Sequence, residues 1–537
     1  MTRTTLLRTA ASLLVAGSTI ALFGQPLSYA ASRPQVKEHA SRLGASVTPS
    51  FRKGGFIYKH KPSFAPPDHD QSGGRKIPVG PFHARKHSAQ LSFVRVQASV
   101  RTSHEVRPHG YSTLMNTQDA VSTCNPASCW PPEPNEASDG NTVVYTTNTY
   151  VGFSVNGGAS FKSFTPGSLY SDDPDGGPCC DQIVQYSPQI NRFIWIMQYN
   201  ANSAGDDRYR LAVFPPSSVT ANGLTSWVSW DITPQQYPGI AYHWFDFPDL
   251  ALGSKYLYLS NDEGIASTGK VYSSIITRIG LAELAAGANL ASGSTAWRFI
   301  TGSILFGRVA QDTGSTAYWA APVNTSQMNV SDWPQSSTDW FGPTTVNIDS
   351  WPNSNFTSKT PDGDSWNSTY TGAVLAAAVT PSVNGVPGTL WLAWPGGRGT
   401  GQLSWLTQPQ VELAAISVPS LRFVSQVALW DSSVAVSFPN LAVDPAGQLG
   451  ITFAWGGGKQ WVNSAVMNLS VSTTEVLTTT ASNSSDGHNR WGDYIDIRPA
   501  YNEKGVQFTA AGYGTNNAVV SAGKVYDPNF VAFSEAP

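Results

Sequence analysis

The sequence predicts an all-β protein, a β-propeller with seven four-stranded blades. Two observations predict this fold: the composition, and a two-strand sequence motif that recurs along the chain. The 537 residues include 48 Gly and 37 Pro, with 11% aromatic and 13% charged residues. This composition favours pleated strands and tight turns over helices. It excludes a coiled coil and a charge-driven disordered polymer.

The recurring motif consists of a short strand, a turn with Pro, Gly or Asn, and a second strand of alternating apolar residues. This is the pattern of a β-hairpin. Copies start at residues 134, 182, 248, 308, 375, 439 and 493. Successive starts are 48 to 67 residues apart, which leaves room for two further strands in each unit. Seven such sheets bury both faces by packing around an axis. Two stacked β-sandwiches are the alternative, but they do not require a recurring unit.

Residues 1–30 have the pattern of an export signal peptide. Arg3 and Arg8 precede the apolar run 9–23, and small residues at Ser28 and Ala30 predict cleavage after Ala30. A retained N-terminal anchor helix is the alternative. No later segment approaches the roughly 20 uninterrupted apolar residues that span a bilayer. We therefore expect a secreted, extracellular protein.

Residues 31–110 are predicted to form a basic, largely disordered leader or pro-segment, followed by the propeller domain at 111–537. The leader carries 14 Lys plus Arg against 4 Asp plus Glu, whereas residues 111–537 carry 17 against 32. The acidic domain lacks the broad basic surface that nucleic acid requires, so nucleic acid is excluded as a partner. We expect a monomer, with ring closure by residues 525–533 or by the plausible strand at 90–100.

Four cysteines, Cys124, Cys129, Cys179 and Cys180, should be oxidised in an exported protein. Either Cys124 pairs with Cys129 and the adjacent Cys179 and Cys180 pair with each other, or two bridges staple the first loop to the second. The staple is preferred because a bridge between adjacent cysteines needs a distorted peptide. No cofactor is expected, although residues 172–175 (DDPD) could bind calcium. An ordinary acidic turn is the alternative there.

Candidate catalytic residues lie where inner strands are predicted to begin, because those loops line one mouth of the channel of a propeller. Only two histidines follow residue 110, His243 and His488, and each stands just before such a start. Asp246, Asp493 and Arg490 complete the predicted catalytic set. The predicted substrate-binding residues are Tyr242, Trp244, Trp491, Tyr494, Asp181 and Asp249.

This constellation predicts action on an extracellular glycan or polysaccharide. Sugars stack on Trp rings and bond to carboxylates, and His moves protons near neutral pH. Glycoside hydrolysis by paired carboxylates fits, and so does elimination at a uronate by His or Tyr with Arg490 offsetting charge. A non-catalytic propeller that binds glycan or protein at the cell surface is the alternative. The same residues could also serve only to stabilise loops by hydrogen bonds.

Residues 154–161 (SVNGGASF) resemble the Asp box, or BNR repeat, of the sialidase superfamily, with Asn156 where the family has Asp. Residues 260–264 (SNDEG) are a partial second copy, and residues 489–494 are similar to phrases of exported bacterial propellers of that superfamily. The resemblance covers about residues 130–535 and implies a propeller in which the Asp box is a structural turn. A sialidase, as the family implies, needs three Arg, a Tyr nucleophile activated by Glu, and an Asp acid. The family's Arg-Ile-Pro motif is missing from the domain, so sialidase activity itself is not expected.

Overall fold

The computed structural model describes residues 89–95, 111–117 and, with short gaps, 131–535. The gaps are residues 171–174, 176, 238–239, 241–242, 266, 268–269, 289, 291–296, 303–306, 368–371, 384, 471–474, 486, 488, 502–504 and 518–524. The predicted signal peptide and most of the leader lie outside the described residues, as do Cys124 and Cys129. No helix in the described part of the chain is long and apolar enough to cross a membrane.

Seven small antiparallel sheets form the blades of a propeller, as the sequence predicts. Three short strands precede the first blade: β1 (Ala89–Gln90), β2 (Ser92–Arg95) and β3 (Tyr111–Thr117). Blade 1 contains β4 (Asn135–Ser138), β5 (Val143–Thr146), β6 (Val151–Ser154) and β7 (Lys162–Phe164). Blade 2 contains β8 (Pro178–Ser187), β9 (Arg192–Tyr199), β10 (Tyr209–Phe214) and β13 (Val228–Ile232), with a small ribbon of β11 (Val219–Thr220) and β12 (Gly223–Leu224).

Blade 3 contains β14 (Trp244–Leu252), β15 (Tyr256–Ile265), β16 (Lys270–Gly280) and β17 (Trp297–Gly302). Blade 4 contains β18 (Thr316–Asn324), β19 (Gln327–Pro334) and β20 (Phe341–Asn347). Blade 5 contains β21 (Ala376–Thr380), β22 (Thr389–Gly396), β23 (Gln410–Ser417) and β24 (Arg422–Trp430). Blade 6 contains β25 (Ala435–Val443), β26 (Leu449–Gly457), β27 (Gln460–Asn468) and β28 (Glu475–Thr478).

Blade 7 contains β29 (Asp496–Pro499), β30 (Phe508–Asn516) and β31 (Val525–Glu535), and β3 completes it. Helical structure among the described residues is confined to single turns: α1 (Leu281–Ala286) and the 3-10 helices Pro166–Ser168, Pro216–Ser218, Pro234–Gln236 and Gly401–Leu403. Every predicted repeat start falls within an innermost strand or within three residues of one, apart from blade 4. In blade 4 the segment 308–312 runs alongside β18. The Ala310 N–H donates to the Tyr318 carbonyl over 2.8 Å.

The three N-terminal strands all attach to the outer edges of the last three blades. β3 runs antiparallel to β31 and so closes the ring between the two ends of the described chain. β1 pairs in parallel with β24 of blade 5, and β2 pairs in parallel with β28 of blade 6. The region 90–100, predicted to be one strand, therefore contributes to two short strands, β1 and β2. Each is the fifth strand of its blade, and residues 111–117 close the ring.

The hydrophobic core is divided among the seven interfaces between blades. Each interface has its own buried apolar cluster, for example Ile183, Ile196 and Leu211 of blade 2 against Leu250 and Leu257 of blade 3. Blades 7 and 1 bury a similar cluster that includes Phe530 and Tyr145. Because neither face of a blade is covered by the blade itself, its stability depends on both neighbours.

Residues 154–161 form the turn between the two outer strands of blade 1, β6 and β7. Asn156 Oδ1 accepts the Ser160 N–H over 3.1 Å, and Ser154 Oγ accepts the Gly158 N–H over 2.9 Å. Gly157 and Gly158 have φ of 68° and 90°, which glycine adopts without steric cost. The partial copy at 260–264 lies inside strand β15 and forms no turn.

The preferred cysteine pairing is wrong. Cys179 and Cys180 are bonded to each other at the start of β8, with their Cα atoms 3.7 Å apart. Neither thiol is therefore available for a staple to Cys124 or Cys129. The steric objection to a bridge between neighbours does not hold here, because the start of β8 departs from regular pairing with β9 on both sides of Cys180.

Candidate functional site

The same local bend occurs on three of the inner strands, directly before β4 and as a β-bulge within β14 and β25. A residue with positive φ is followed by Pro and then by Asn or Asp, and this residue is Glu133, Phe247 or Phe438 in blades 1, 3 and 6, with φ of 46°, 52° and 53°. Since the inner strands of a propeller run in the same direction, their first residues meet at one mouth of the axial channel. The mouth cluster is defined here as Glu133, Asp181, Phe247, Arg308, Arg490, Asp493 and Tyr494.

Glu133 is a buried carboxyl group directly before β4, with 1% of its surface exposed. Asn148 Nδ2 donates to its Oε2 over 2.7 Å, and its Oε1 lies 3.6 Å from Arg490 Nη2. Burial raises the pKa of Glu133 well above its ordinary value, and the charges of Asp493 and Asp181 add to this, against Arg490 and Asn148.

Asp181 of β8 is the partner of Glu133. The Asp181 carboxyl group lies beside that of Glu133 and is 6% exposed. Burial raises the pKa of Asp181 to about 6, Asp493 contributes to the rise, and Glu133 and Arg490 oppose it. Burial is thus the main cause of the raised pKa of both carboxyl groups. Two carboxyl groups with separated proton affinities are the arrangement that assigns acid and base roles.

Arg490 and Asp493 form a chelated ion pair at the edge of the mouth cluster. Both Nε, over 3.1 Å, and Nη2 of Arg490 contact Asp493 Oδ1. Arg490 keeps 15% of its side chain exposed and so connects the buried carboxyl pair to the channel opening. Its positive charge is the one that faces all three carboxylates.

Arg308 joins three blades on the other side of the mouth. Its Nη1 lies 3.1 Å from Asp249 Oδ1, and its guanidinium is 4.4 Å from the Phe247 ring centroid and 5.0 Å from that of Tyr494. Cations are attracted to the faces of aromatic rings, so these contacts fix the guanidinium. An arginine held in this way is preorganised to meet an anionic group.

Tyr494 supplies a buried phenol to the mouth cluster. It is 5% exposed, and its hydroxyl has no hydrogen-bond partner among the described residues. Burial raises the pKa of Tyr494 well above its usual range, with contributions from the Asp181 and Glu133 charges. The phenol therefore lies close to both carboxyl groups and is protonated at neutral pH.

A second polar layer lies deeper along the inner strands, where blades 6, 7 and 1 meet. Asp496 accepts from Asn440 Nδ2 over 3.0 Å and from the Glu136 N–H over 3.3 Å, and pairs with Arg498 over 3.0 Å. Burial raises the pKa of Asp496 to about 7 and that of Glu136 to about 8. The charge of Asp496 also raises the pKa of Glu136, and the charge of Asp249 raises that of Asp496, whereas Arg498 lowers both.

The structure brings five of the predicted site residues into or against the mouth cluster: Asp181, Asp249, Arg490, Asp493 and Tyr494. His243 lies elsewhere, 49% exposed, with its Nδ1 2.7 Å from Asp206 Oδ1 in the loop between β9 and β10. No contact among the described residues joins it to the mouth cluster. His488 and Tyr242 lie outside the described residues.

The remaining predicted residues serve the sheet and core. Trp491 is 2% exposed and stacks on Tyr513 at 4.2 Å, so its ring is unavailable to a sugar in this structure. Trp244 and Asp246 are half-buried residues of β14 that pair with Gly264 and Asp262.

Sequence reasoning missed Glu133 and Arg308. Glu133 stands directly before the repeat start at 134, and Arg308 stands at the repeat start of blade 4, which is not a strand in the structure. An alignment of the copies puts Glu133 where blades 3 and 6 have Phe, so an acid at an aromatic position was the feature that could have found it. Asn148, whose side chain donates to Glu133, follows strand β5. The sequence around Asn148 shows no comparable exception to the repeat.

The described residues contain no group of three or more His, Cys, Asp or Glu side chains that could hold a metal ion. Of the predicted calcium loop at 172–175, only Asp175 is described, and it pairs with Arg208 Nε over 2.5 Å. The charge of this carboxylate is thus matched by an arginine in the structure.

No protein family model matches the chain, and no curated protein matches it. Solved structures do match. The N-terminal domain of Nup159 is 8% identical with a TM-score of 0.34, over 83% of this chain and 100% of that chain. The Trypanosoma rangeli sialidase is 12% identical with a TM-score of 0.33, over 72% and 58%. The GH93 α-L-arabinofuranosidase of Fusarium graminearum is 11% identical with a TM-score of 0.36, over 67% and 98%.

Proposed function

We propose that the protein is a carbohydrate-acting enzyme of the sialidase-like kind of propeller that hydrolyses glycosidic bonds at the mouth cluster. One observation carries this proposal: the buried carboxyl pair Glu133 and Asp181, with Arg490 and Tyr494 beside it. Such pairs occur where a protein needs one acid and one base at the same pH. The turn at 154–161 supports the superfamily assignment.

In this proposal, Glu133 is the general acid. It donates a proton to the oxygen of the leaving sugar, a role that its raised pKa favours. The Tyr494 phenol attacks the anomeric carbon and passes its proton to the Asp181 carboxylate. Water then attacks the anomeric carbon and the bond to the Tyr494 oxygen breaks. The Glu133 carboxylate takes a proton from this water and so regains its acid form, and Asp181 returns its proton to the Tyr494 oxygen. A Tyr nucleophile is one of the known departures from the two-carboxylate scheme.

The substrate of this proposal is an extracellular glycan or polysaccharide, met by a secreted monomer. The half-buried rings of Phe247 and Tyr150 offer apolar surface beside the carboxyl groups. The oxidised Cys179–Cys180 pair is consistent with an oxidising compartment.

The test compares wild type with Glu133→Gln and Asp181→Asn on a panel of neutral, uronate-containing and sialylated glycans. Loss of general acid–base catalysis typically costs 10²–10⁴-fold in turnover, and we expect a loss of that order. Asp332→Asn is the matched control, because Asp332 is also an acid whose pKa burial raises, but it lies on β19. Wild-type turnover in both mouth variants overturns the mechanism. Binding without turnover on every glycan favours a non-catalytic propeller.

Elimination at a uronate is the second candidate, favoured by the contact between Arg308 and Tyr494. Tyr would remove the proton next to the carboxylate, and arginine would offset the developing charge. The products separate the two candidates, since a lyase forms an unsaturated sugar that absorbs ultraviolet light and a hydrolase does not.

A further inference from the structure

The start of strand β8 is irregular at the point where it enters the mouth cluster. Pro178 pairs with Tyr199, Cys180 with Gln198, and Gln182 with Met197. Two residues of β8 therefore stand opposite one residue of β9 in two successive steps. Cys179 and Asp181 are the extra residues of two adjacent β-bulges. Bulges of this kind redirect side chains beside functional sites.

Fixed contacts hold the chain after Asp181. Gln182 Nε2 donates to the Thr147 carbonyl over 2.6 Å, and its Oε1 accepts from Trp195 Nε1 over 3.1 Å. These bonds tie the residue after Asp181 to blade 1 and to β9. The chain on the C-terminal side of Asp181 is therefore held in place by the hydrogen bonds of Gln182.

The disulfide holds the chain before Asp181. Cys179 and Cys180 are joined covalently, and Gly177, two residues earlier, accepts from the N–H and the Nδ2 of Asn200 over 3.0 and 3.1 Å. Each bulge leaves one residue of β8 unpaired and disrupts the ladder with β9 locally. The covalent ring between the cysteines restricts the backbone of the two residues directly before Asp181.

We propose that the Cys179–Cys180 disulfide is a positioning device that holds Asp181 against Glu133, so that breaking it loosens this contact while blade 2 stays folded. Both cysteines are half-buried, so a dissolved reductant reaches them. Dithiothreitol supplies two electrons and two protons: the S–S bond breaks, two thiols form, and the reductant closes to its cyclic disulfide. The catalytic consequence rests on the proposed function, whereas the effect on the carboxyl contact does not.

The experiment follows the titration of Asp181 by carboxyl carbon NMR in the full chain, with Asp181→Asn identifying its resonance. In wild type the pKa is about 6. In the Cys179→Ala/Cys180→Ala double variant we expect it to fall towards the ordinary 3.8, because the released carboxyl group regains water. On a substrate found in the glycan screen, turnover should fall about tenfold and its pH profile should shift in the same direction.

Cys124→Ala/Cys129→Ala is the matched control, since dithiothreitol also reaches any bridge formed by those residues. The control should keep the wild-type titration and remain sensitive to dithiothreitol, while the Cys179/Cys180 variant should be insensitive. An unchanged Asp181 titration in that variant overturns the proposal. If the variant does not fold, reduction of folded wild type decides: a shifted titration supports the proposal and an unchanged one overturns it. A shifted titration with no turnover on any glycan overturns the proposed function alone.

Discussion

The Val184 N–H on the inner strand of blade 2 donates to Asn135 Oδ1 on the inner strand of blade 1, over 2.8 Å. Asn440 makes the equivalent tie from blade 6 by donating to the Ile495 carbonyl before blade 7, over 3.0 Å. Asp496 makes it from blade 7 by accepting the Glu136 N–H of blade 1. One polar residue near the start of an inner strand thus links each of these blades to the next around the ring.

Asn135→Ala should destabilise the protein by about 1–3 kcal/mol, because the Val184 N–H is left buried without its acceptor. Denaturant unfolding measures the change. Asn141→Ala, at an exposed turn of the same blade, should be nearly neutral. Equal losses in the two variants would contradict a role for the tie.

The propeller should unfold in one transition, since every blade needs both neighbours to cover its core. Calorimetry and far-ultraviolet circular dichroism should give coincident curves. Limited proteolysis should remove residues ahead of about 89 and leave β1, β2 and β3 attached to the ring. Recovery of stable fragments of two or three blades would refute this expectation.

The free energy of unfolding should fall as pH rises from about 4.5 to about 8, owing to Glu136. Burial raises its folded-state pKa from the ordinary 4.5, so in this interval the folded protein binds more protons than the unfolded chain, and stability decreases with pH. Glu136→Gln carries no titrating proton and should flatten the curve. Its advantage over wild type at pH 9 should be on the order of a few kcal/mol, as each pKa unit is about 1.4 kcal/mol. Parallel curves for the two proteins would argue against this assignment.

Trp491→Ala should cost about 3–5 kcal/mol, because it removes a ring buried between Phe438 and Tyr513. Trp244→Ala should cost less, as that side chain is only half-buried. Thermal unfolding compares the two variants. A stable Trp491→Ala protein with lost glycan binding would restore the sequence-based role of Trp491.

Leu91→Asp should detach the N-terminal strands from blades 5 and 6. Leu91 is 4% exposed, packs among apolar residues of both blades, and donates its N–H to the Trp430 carbonyl over 2.8 Å. We expect faster proteolysis near residue 95 and a loss of about 2–4 kcal/mol, since a charge replaces a buried side chain. Gln90→Asp is the control, because Gln90 is exposed. Equal resistance of the two variants to proteolysis would contradict the attachment of the N-terminal strands to blades 5 and 6.

The number of blades and the positions of the inner strands were predictable because a two-strand motif recurs, in several copies with Pro followed by Asn or Asp. The carboxyl residues Asp181 and Asp493 were predictable because each stands at, or directly before, the start of a copy. Glu133 was not, because its chemistry depends on burial against two other carboxyl groups from blades 2 and 7. The pairing of Cys179 with Cys180 depends on the bulges of β8, and a linear sequence does not display bulges.

The attachment of the first strands to the last blades fixes when folding can finish. A ribosome produces residues 89–95 and 111–117 several hundred residues before the strands that they pair with, β24, β28 and β31. These N-terminal segments must therefore wait, unpaired, while blades 1 to 4 are synthesised and assembled. Joining them closes the longest loops in the chain, a step that is entropically costly and late. A nascent chain truncated before residue 525 lacks β31 and would leave β3 without a partner and the ring open.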